Sequence, residues 1–309
     1  MLIALLTAVL IDGLLGDVNS SFHPVVLMGS FINRLRQAWN CGSPKQRLFA
    51  GFALIFLGGL LFSVPWLAFH WLLRNLPVWL QGLLAGLALK PCFAFNALIK
   101  ASREVQQALQ AEDLKEARRL LNWHLVSRHT QALSAGQVAS GTIESLSENL
   151  TDSFLAPLLC FAIGGLPLAW LYRFVNTADA MIAYHTPELE YFGKVTARAD
   201  DALNWIPARI AGMLLVLAAG LVALDWRNAW RVLLAQHKRT SSPNAGWTMA
   251  AAAGALNVVL EKTSNYRLEG GSAFPETRHI SAAIRLLRVA YLLSLILTGG
   301  LLVLIKPLF

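Results

Sequence analysis

The sequence predicts an all-α, polytopic membrane protein, and three observations carry that expectation. Hydrophobic residues make up 56% of the 309 and charged residues only 14%, where a soluble chain carries roughly a quarter. Several apolar runs are long enough to cross a bilayer core, which takes about 20 helical residues. Basic and polar stretches separate these runs, and ten Trp and five Tyr are available to anchor their ends at the interface. The formal charge of +8 follows from basic loops facing the cytoplasm and anionic headgroups, so no nucleic-acid partner is expected. Cys41, Cys92 and Cys160 match no metal-ligand spacing, and the last two lie in apolar stretches as small core residues.

Taken in order, Met1 to Leu15 is apolar apart from Thr7 and Asp12 and lacks a basic n-region. It reads as a retained short helix rather than a cleaved signal. The following 16–47 loop carries Arg34, Arg36, Lys45 and Arg47 with no acid among them, the pattern of a cytoplasmic connection. Leu48 to Leu73 is a span in which Pro65 can introduce a kink, and Leu76 to Ile99 returns after Arg74-Asn75, weakened at Lys90-Pro91. Ala101 to Leu121 has the periodicity of one amphipathic surface helix. Phe154 to Tyr172 is apolar but interrupted by Pro157 and Gly164-Gly165-Leu166-Pro167, which fits either one kinked span or a re-entrant hairpin. Ile206 to Leu224 and Val289 to Phe309 are further spans, and Trp247 to Leu260 is an Ala-rich helix within a polar stretch. The expectation is one membrane-embedded domain over 1–309 with five or six spans, its polar segments at about 12–47, 100–153, 173–209 and 225–288.

Chemistry-bearing residues gather at the span ends. In Glu144-Ser-Leu-Ser-Glu148-Asn149-Leu-Thr-Asp152, a helix would place the three carboxylates on one face. Such a ladder repels itself by a few tenths of a kcal/mol per pair unless a cation intervenes, so it reads either as a Mg²⁺ site or as a solvated face relieved by Lys and Arg elsewhere. Asp12 and Asp17 precede His23-Pro24, with capping and interfacial roles as the alternatives. Ser127-Arg128 has the make-up of a phosphate or carboxylate clamp. Asn176 and Asp179 lead to Lys194, Arg198, the pair Asp200-Asp201, and Asn204-Trp205-Ile-Pro-Ala-Arg209. Ser242-Pro-Asn244-Ala-Gly-Trp247 reads as a turn in which Gly246 lets backbone approach a ligand, or as a plain helix entry. Portable nucleotide, zinc-protease, serine-hydrolase and CxxC motifs are absent.

In order, G-D…H-P-V, S-R, E-S-x-S-E-N-x-x-D, N-T-x-D, Y-F-G…A-R-x-D-D-x-x-N-W-I-P-A-R and S-P-N-A-G-W resemble the adenosylcobinamide-phosphate synthase family of cobalamin biosynthesis (the CbiB/CobD family). The resemblance runs from about Asp12 to Gly271, with two departures: His129 stands where the family has Asp, and Ser153 where it has Gly.

The resemblance implies a multi-pass inner-membrane enzyme with a cytoplasmic active face. It would join a carboxylate of adenosylcobyric acid to the amine of aminopropanol phosphate, or a related amino-alcohol phosphate, at the expense of ATP. Cobalt would enter only within the corrinoid substrate, and the partners would be the lipid bilayer and other cobalamin-assembly membrane enzymes. On that chemistry Glu144, Glu148, Asp152 and Asp179 are the Mg²⁺ candidates, and Glu148, Asp152, Asp200, Asp201 and Arg209 the catalytic ones. Arg128, Asn149, Asn176, Lys194, Arg198, Asn204, Trp205, Asn244 and Trp247 are the candidates for holding substrate and phosphate, with Asp12, Asp17 and His23 beside them. A non-catalytic corrinoid-binding, transport or regulatory membrane protein is the alternative, and a transporter would be expected to show inverted repeats that this chain lacks.

Overall fold

In a computed structural model, which describes residues 1–16, 23–184, 186–263 and 265–305, the described residues form helices, one small β-hairpin and short connections. Among the described residues, five helical stretches are long and apolar enough to cross a membrane: Pro44–Leu73, Val78–Gln110, Ala135–Ile182, Lys194–Leu221 and Thr277–Leu304. In the first, only 22% of the most apolar window is buried in protein, so Phe49, Phe52 and Phe56 are left for lipid; in the third, 78% is buried, which makes it the interior stretch. The chain forms two compact units.

The first unit comprises Met1–Ala94, Ala156–Leu203 and Thr298–Phe309. Its α1 (Leu2–Leu15) packs on α5 (Val78–Leu89), and the pair is locked by a buried ion pair, Asp12 to Lys90, at 3.1 Å. The stretch expected as a 16–47 loop contains a helix, α2 (Pro24–Trp39), entered through His23, whose Nδ1 accepts from the Val25 amide at 3.3 Å. Ser43 and Gln46 form a capping box for α3 (Pro44–Ser63). Pro65 then breaks the span into α3 and α4 (Pro65–Leu73), as its missing N–H and ring require. Lys90-Pro91 ends α5 in a 3-10 turn.

Helix α9 (Ala156–Ile182) resolves the choice left open for Phe154 to Tyr172. At Gly164 and Gly165 the backbone leaves helical geometry, and Gly165 takes φ 62°, ψ −156°, a conformation essentially confined to glycine. Ala156, Cys160 and Tyr172 share one buried cluster with Leu168 packed against it. On a straight helix Ala156 and Tyr172 would stand about 24 Å apart. Each pair, Ala156 with Tyr172 and Cys160 with Leu168, flanks Gly164 symmetrically, so the chain folds back on itself there. The second arm packs on α3 and α4 through Phe174, stacked on Phe62 at 5.3 Å, and Trp170, stacked on Trp66 at 4.6 Å.

The second unit comprises Phe95–Leu155 and Asn204–Leu297. The single helix expected over Ala101 to Leu121 is two, α6 (Asn96–Gln110) and α7 (Leu114–His124). Glu112 takes φ 57° and Asp113 caps α7 by accepting from the Glu116 amide, so the apolar stripe closes on itself around Val105, Ala117, Leu121 and Val138. Helix α8 (Ala135–Leu150) starts with a Ser134/Gln137 capping box and runs into a π-helical turn, Thr151–Leu155. Helix α10 (Lys194–Leu221) is continuous through Pro207.

Helices α11 (Trp226–Gln236) and α12 (Ala245–Leu256) pack face to face. The Ala-rich helix ends at Leu256 rather than Leu260, because Asn257 adopts the left-handed conformation and the chain enters a β-hairpin. Strands β1 (Val259–Lys262) and β2 (Tyr266–Glu269) pair antiparallel, with Lys262 opposite Tyr266 and Glu261 opposite Arg267. The last helix, α13 (Thr277–Leu304), begins well before the expected Val289, and its first turns carry Arg285 and Arg288 into water.

Candidate functional site

Helix α8 and its continuation are buried without interruption from Val138 to Ala162 except at four residues: Glu148, Asn149, Asp152 and Ser153. All four are polar, and they mark the one opening in an otherwise enclosed run. Glu148 and Asn149 lie on the last α-helical turn, whereas Asp152 and Ser153 lie on the π-helical turn that follows. A π turn inserted in an α-helix costs hydrogen-bond geometry and is most often found where a side chain has to be re-aimed. The Ser153 hydroxyl donates to Asn149 Oδ1 at 2.6 Å, and Asn149 Nδ2 donates to the Ser145 carbonyl at 2.9 Å. The serine that departs from the family's glycine therefore adds a bond that fixes the amide of Asn149.

Glu144, one α-helical turn before Glu148, is buried and serves a different purpose. Its Oε1 accepts from Ser140 Oγ at 2.8 Å; its Oε2 accepts from the Tyr266 phenol at 2.6 Å and faces Arg128 Nη2 at 3.5 Å. Ser140 Oγ in turn accepts from the Glu261 amide at 2.8 Å, so the hairpin sits on α8 through two side chains. Burial, then the negative charge of Glu144, push the Tyr266 phenol far above its ordinary range and keep it a donor. Tyr266 and Ser140 had escaped the sequence reading. Ser140 could have been found, since it precedes Glu144 by one helical turn; Tyr266 could not, because strand pairing brings it there.

The three carboxylates of the ladder expected over Glu144, Glu148 and Asp152 have different surroundings. Glu144 is consumed by internal partners, and the helix leaves α pitch before Asp152. Among the described residues no three His, Cys, Asp or Glu side chains stand close enough together to hold a metal ion by themselves.

The N-W-I-P-A-R and S-P-N-A-G-W strings meet within the second unit. The Arg209 guanidinium lies 3.9 Å over the Trp205 ring and 4.9 Å from that of Trp247, with Nη1 donating to the Trp205 carbonyl and, at 3.5 Å, to Asn244 Oδ1. His237 stacks behind Trp247 at 4.4 Å. Trp205 is exposed, while Asn204 and Asn244 are buried. Ser242 Oγ accepts from the Asn244 and Ala245 amides, so Ser242-Pro243-Asn244 is a helix entry as well as a source of a side chain for Arg209. Gly246 approaches protein rather than ligand: a Cβ there would stand 2.0 Å from the His237 carbonyl oxygen.

In the first unit Asn176 Nδ2 reaches Asp200 Oδ1 at 3.5 Å. Asp179 and Asp201 are half-buried, and Lys194 and Arg198 are exposed at the start of α10. Asp12 belongs to the ion pair with Lys90 and His23 to the cap of α2, so both have structural employment. Asp17 and His185 lie outside the described residues.

Comparison with known proteins shows the family. Residues 5–287 match the family described as "CobD/Cbib protein". The chain is 39% identical over 301 residues to "Probable cobalamin biosynthesis protein CobD" of Methanothermobacter thermautotrophicus, covering 97% of this chain and 98% of the relative. It is 41% identical over 262 residues to "Cobalamin biosynthesis protein CobD" of Geobacter metallireducens, covering 84% and 81%. The corresponding figures for the Dehalococcoides mccartyi protein of the same name are 37% over 275 residues, 87% and 86%. No solved structure matches the chain. With the match running from α1 into α13, the chain belongs to the CobD/CbiB family of cobalamin biosynthesis proteins.

Proposed function

We propose that the protein is an adenosylcobinamide-phosphate synthase, joining a carboxylate of adenosylcobyric acid to the amine of aminopropanol phosphate or a related amino-alcohol phosphate with cleavage of ATP. The observation that carries this reading is the polar opening at Glu148, Asn149, Asp152 and Ser153 in an otherwise buried helix. Family membership supports it.

A carboxylate does not condense with an amine in water, so it has to be activated. Transfer of the γ-phosphoryl group to a carboxylate oxygen breaks the bond to ADP and forms an acyl phosphate. Attack of the neutral amine on the acyl carbon then expels phosphate, and the nitrogen loses a proton. Both steps are governed by positioning and by neutralising developing negative charge. Arg128 and Arg209 are the groups we assign to anionic oxygens. The Arg209 guanidinium lies over the Trp205 indole with Trp247 beside it, and an anion would meet it through in-plane hydrogen bonds, as phosphate and carboxylate do.

A resident metal held by protein alone does not fit the described residues. Mg²⁺ carried in on nucleotide phosphates needs only one or two carboxylates, and half-buried Glu148 and Asp152 fit that role. Bound there, the ion would neutralise charge on the phosphoryl oxygens. Asn149, its amide fixed by Ser153 and Ser145, is suited to orient a polar group of a substrate. Asp200, with the Asn176 amide against it, is the acceptor we assign to the ammonium proton. The exposed ring of Trp205 is a suitable platform for the corrin periphery. We place the protein in the cell's inner membrane with its active face towards the cytoplasm.

The test is turnover by purified protein in detergent with adenosylcobyric acid, aminopropanol phosphate and Mg-ATP, product being followed by mass spectrometry. Amide formation with one ATP cleaved per product is the expected result. Corrinoid binding without product would replace the enzyme with a carrier.

A further inference from the structure

Arg128 and Glu144 are an unequal pair. Every oxygen of the buried Glu144 carboxylate has a partner: Ser140 on Oε1, and the Tyr266 phenol at 2.6 Å on Oε2. Arg128 has far less. Its only polar side-chain contact among the described residues is the 3.5 Å approach to Glu144 Oε2, longer than the 2.7–2.9 Å of a good charge-assisted bond, and its buried Nε has no acceptor. A guanidinium has five N–H donors, and beside a carboxylate it ordinarily closes into a bidentate pair. Here it does not.

We infer that Tyr266 is a positioning residue that holds Arg128 available for an anionic group of a substrate. By occupying the Glu144 oxygen that faces Arg128, the phenol prevents the guanidinium from closing onto that carboxylate. Glu144 still supplies a counter-charge at a distance, which keeps the cation in place without saturating it. The ligand of this site is a phosphate or carboxylate oxygen able to meet the unused N–H groups. The β-hairpin has a purpose under this inference that packing alone does not give it: Glu261, on β1, anchors Ser140, and Tyr266, at the start of β2, reaches Glu144.

The inference rests on the synthase reading and deepens it, and the experiment separates the two. Full-length protein, Tyr266→Phe, Glu144→Gln and the double variant are compared in detergent, varying adenosylcobyric acid, amino-alcohol phosphate and ATP in turn. Affinity for inorganic pyrophosphate is measured in parallel by calorimetry, so the anion site is read even without turnover. Tyr266→Phe lets Arg128 close onto Glu144, raising KM for one of the three substrates about tenfold while moving kcat less, and weakening pyrophosphate binding by a similar factor. Adding Glu144→Gln removes the attraction and returns both values towards wild type. A merely structural phenol predicts the opposite, a double variant no better than Tyr266→Phe. That result, or unchanged KM values together with unchanged pyrophosphate affinity in Tyr266→Phe, overturns the inference. Absence of turnover in the wild type, with the pyrophosphate pattern intact, overturns the synthase reading and leaves this one standing.

Discussion

Single side chains in this protein divide into those enclosed by protein and those left half-buried at the interruption of the buried run in α8 and the turn that follows it. Glu148→Gln and Asp152→Asn keep size and remove charge, so each is expected to cut amide synthesis about a hundredfold or more without loss of the inserted, folded protein. Arg209→Lys keeps the charge but loses the flat guanidinium that stacks on Trp205 and Trp247. We expect roughly a tenfold fall in kcat/KM, about 1.4 kcal/mol of transition-state stabilisation, measured in the same turnover assay. Asp12 is the contrasting case. Asp12→Ala removes the carboxylate from the buried Lys90 ammonium, which also meets the weaker Phe93 carbonyl and ring, and should lower the melting temperature in detergent by several degrees while leaving turnover little changed. Sequence spacing alone could not separate Glu144 from Glu148. Both sit one turn apart on α8, and what distinguishes them is that Glu144 is buried against a tyrosine more than a hundred residues away, while Glu148 is half-buried.

At the scale of elements, apolar periodicity reads well where one helix meets lipid or core, and poorly where a backbone switch interrupts the pattern. The amphipathic stripe of Ala101 to Leu121 continues across Glu112, yet the left-handed turn there produces two helices, since the same stripe is buried equally well by folding α6 onto α7. The β-hairpin was missed because four-residue strands next to an Ala-rich helix carry little signal of their own. Asn257 was the available cue, as asparagine tolerates the left-handed conformation that ends a helix. Gly164-Gly165 was legible as a break, and its torsions settle which kind. Gly165→Ala forces a Cβ into a conformation reserved for glycine, at a cost of about 1–3 kcal/mol. We expect a melting temperature lowered by several degrees in detergent, with neighbouring Ile163→Ala, exposed at the same bend, doing much less.

For the whole molecule, composition fixed the membrane class because no soluble core could absorb so much apolar surface, and short polar strings in order identified the family. Neither source reports which polar residues become neighbours, since that depends on helix packing and on chain reversal. Cysteine chemistry gives a direct check on the packed protein: Cys41 is exposed, while Cys92 and Cys160 are buried. A membrane-impermeant maleimide should therefore modify native protein once, at Cys41, and only from the face that α2 and α3 share. With the cytoplasmic orientation proposed above, labelling occurs in inverted vesicles and not in intact cells. Because Asn40 donates to the Glu188 carbonyl, a cysteine placed at Glu188 in a Cys41→Ser background should label from the same face. The doubling back at Gly164 also bears on how the chain is made. If the reversal at Gly164 lies within the bilayer, the insertion machinery would have to deliver the segment as two arms rather than one finished membrane crossing. Its second arm needs the aromatic face of α3 and α4 as a template, through Phe62 and Trp66. We therefore expect assembly to be ordered, the early helices being in place before the second arm settles on them. Lesions that disturb that early framework should appear as nascent chains cleared by membrane proteases, even when every residue of the proposed site is intact.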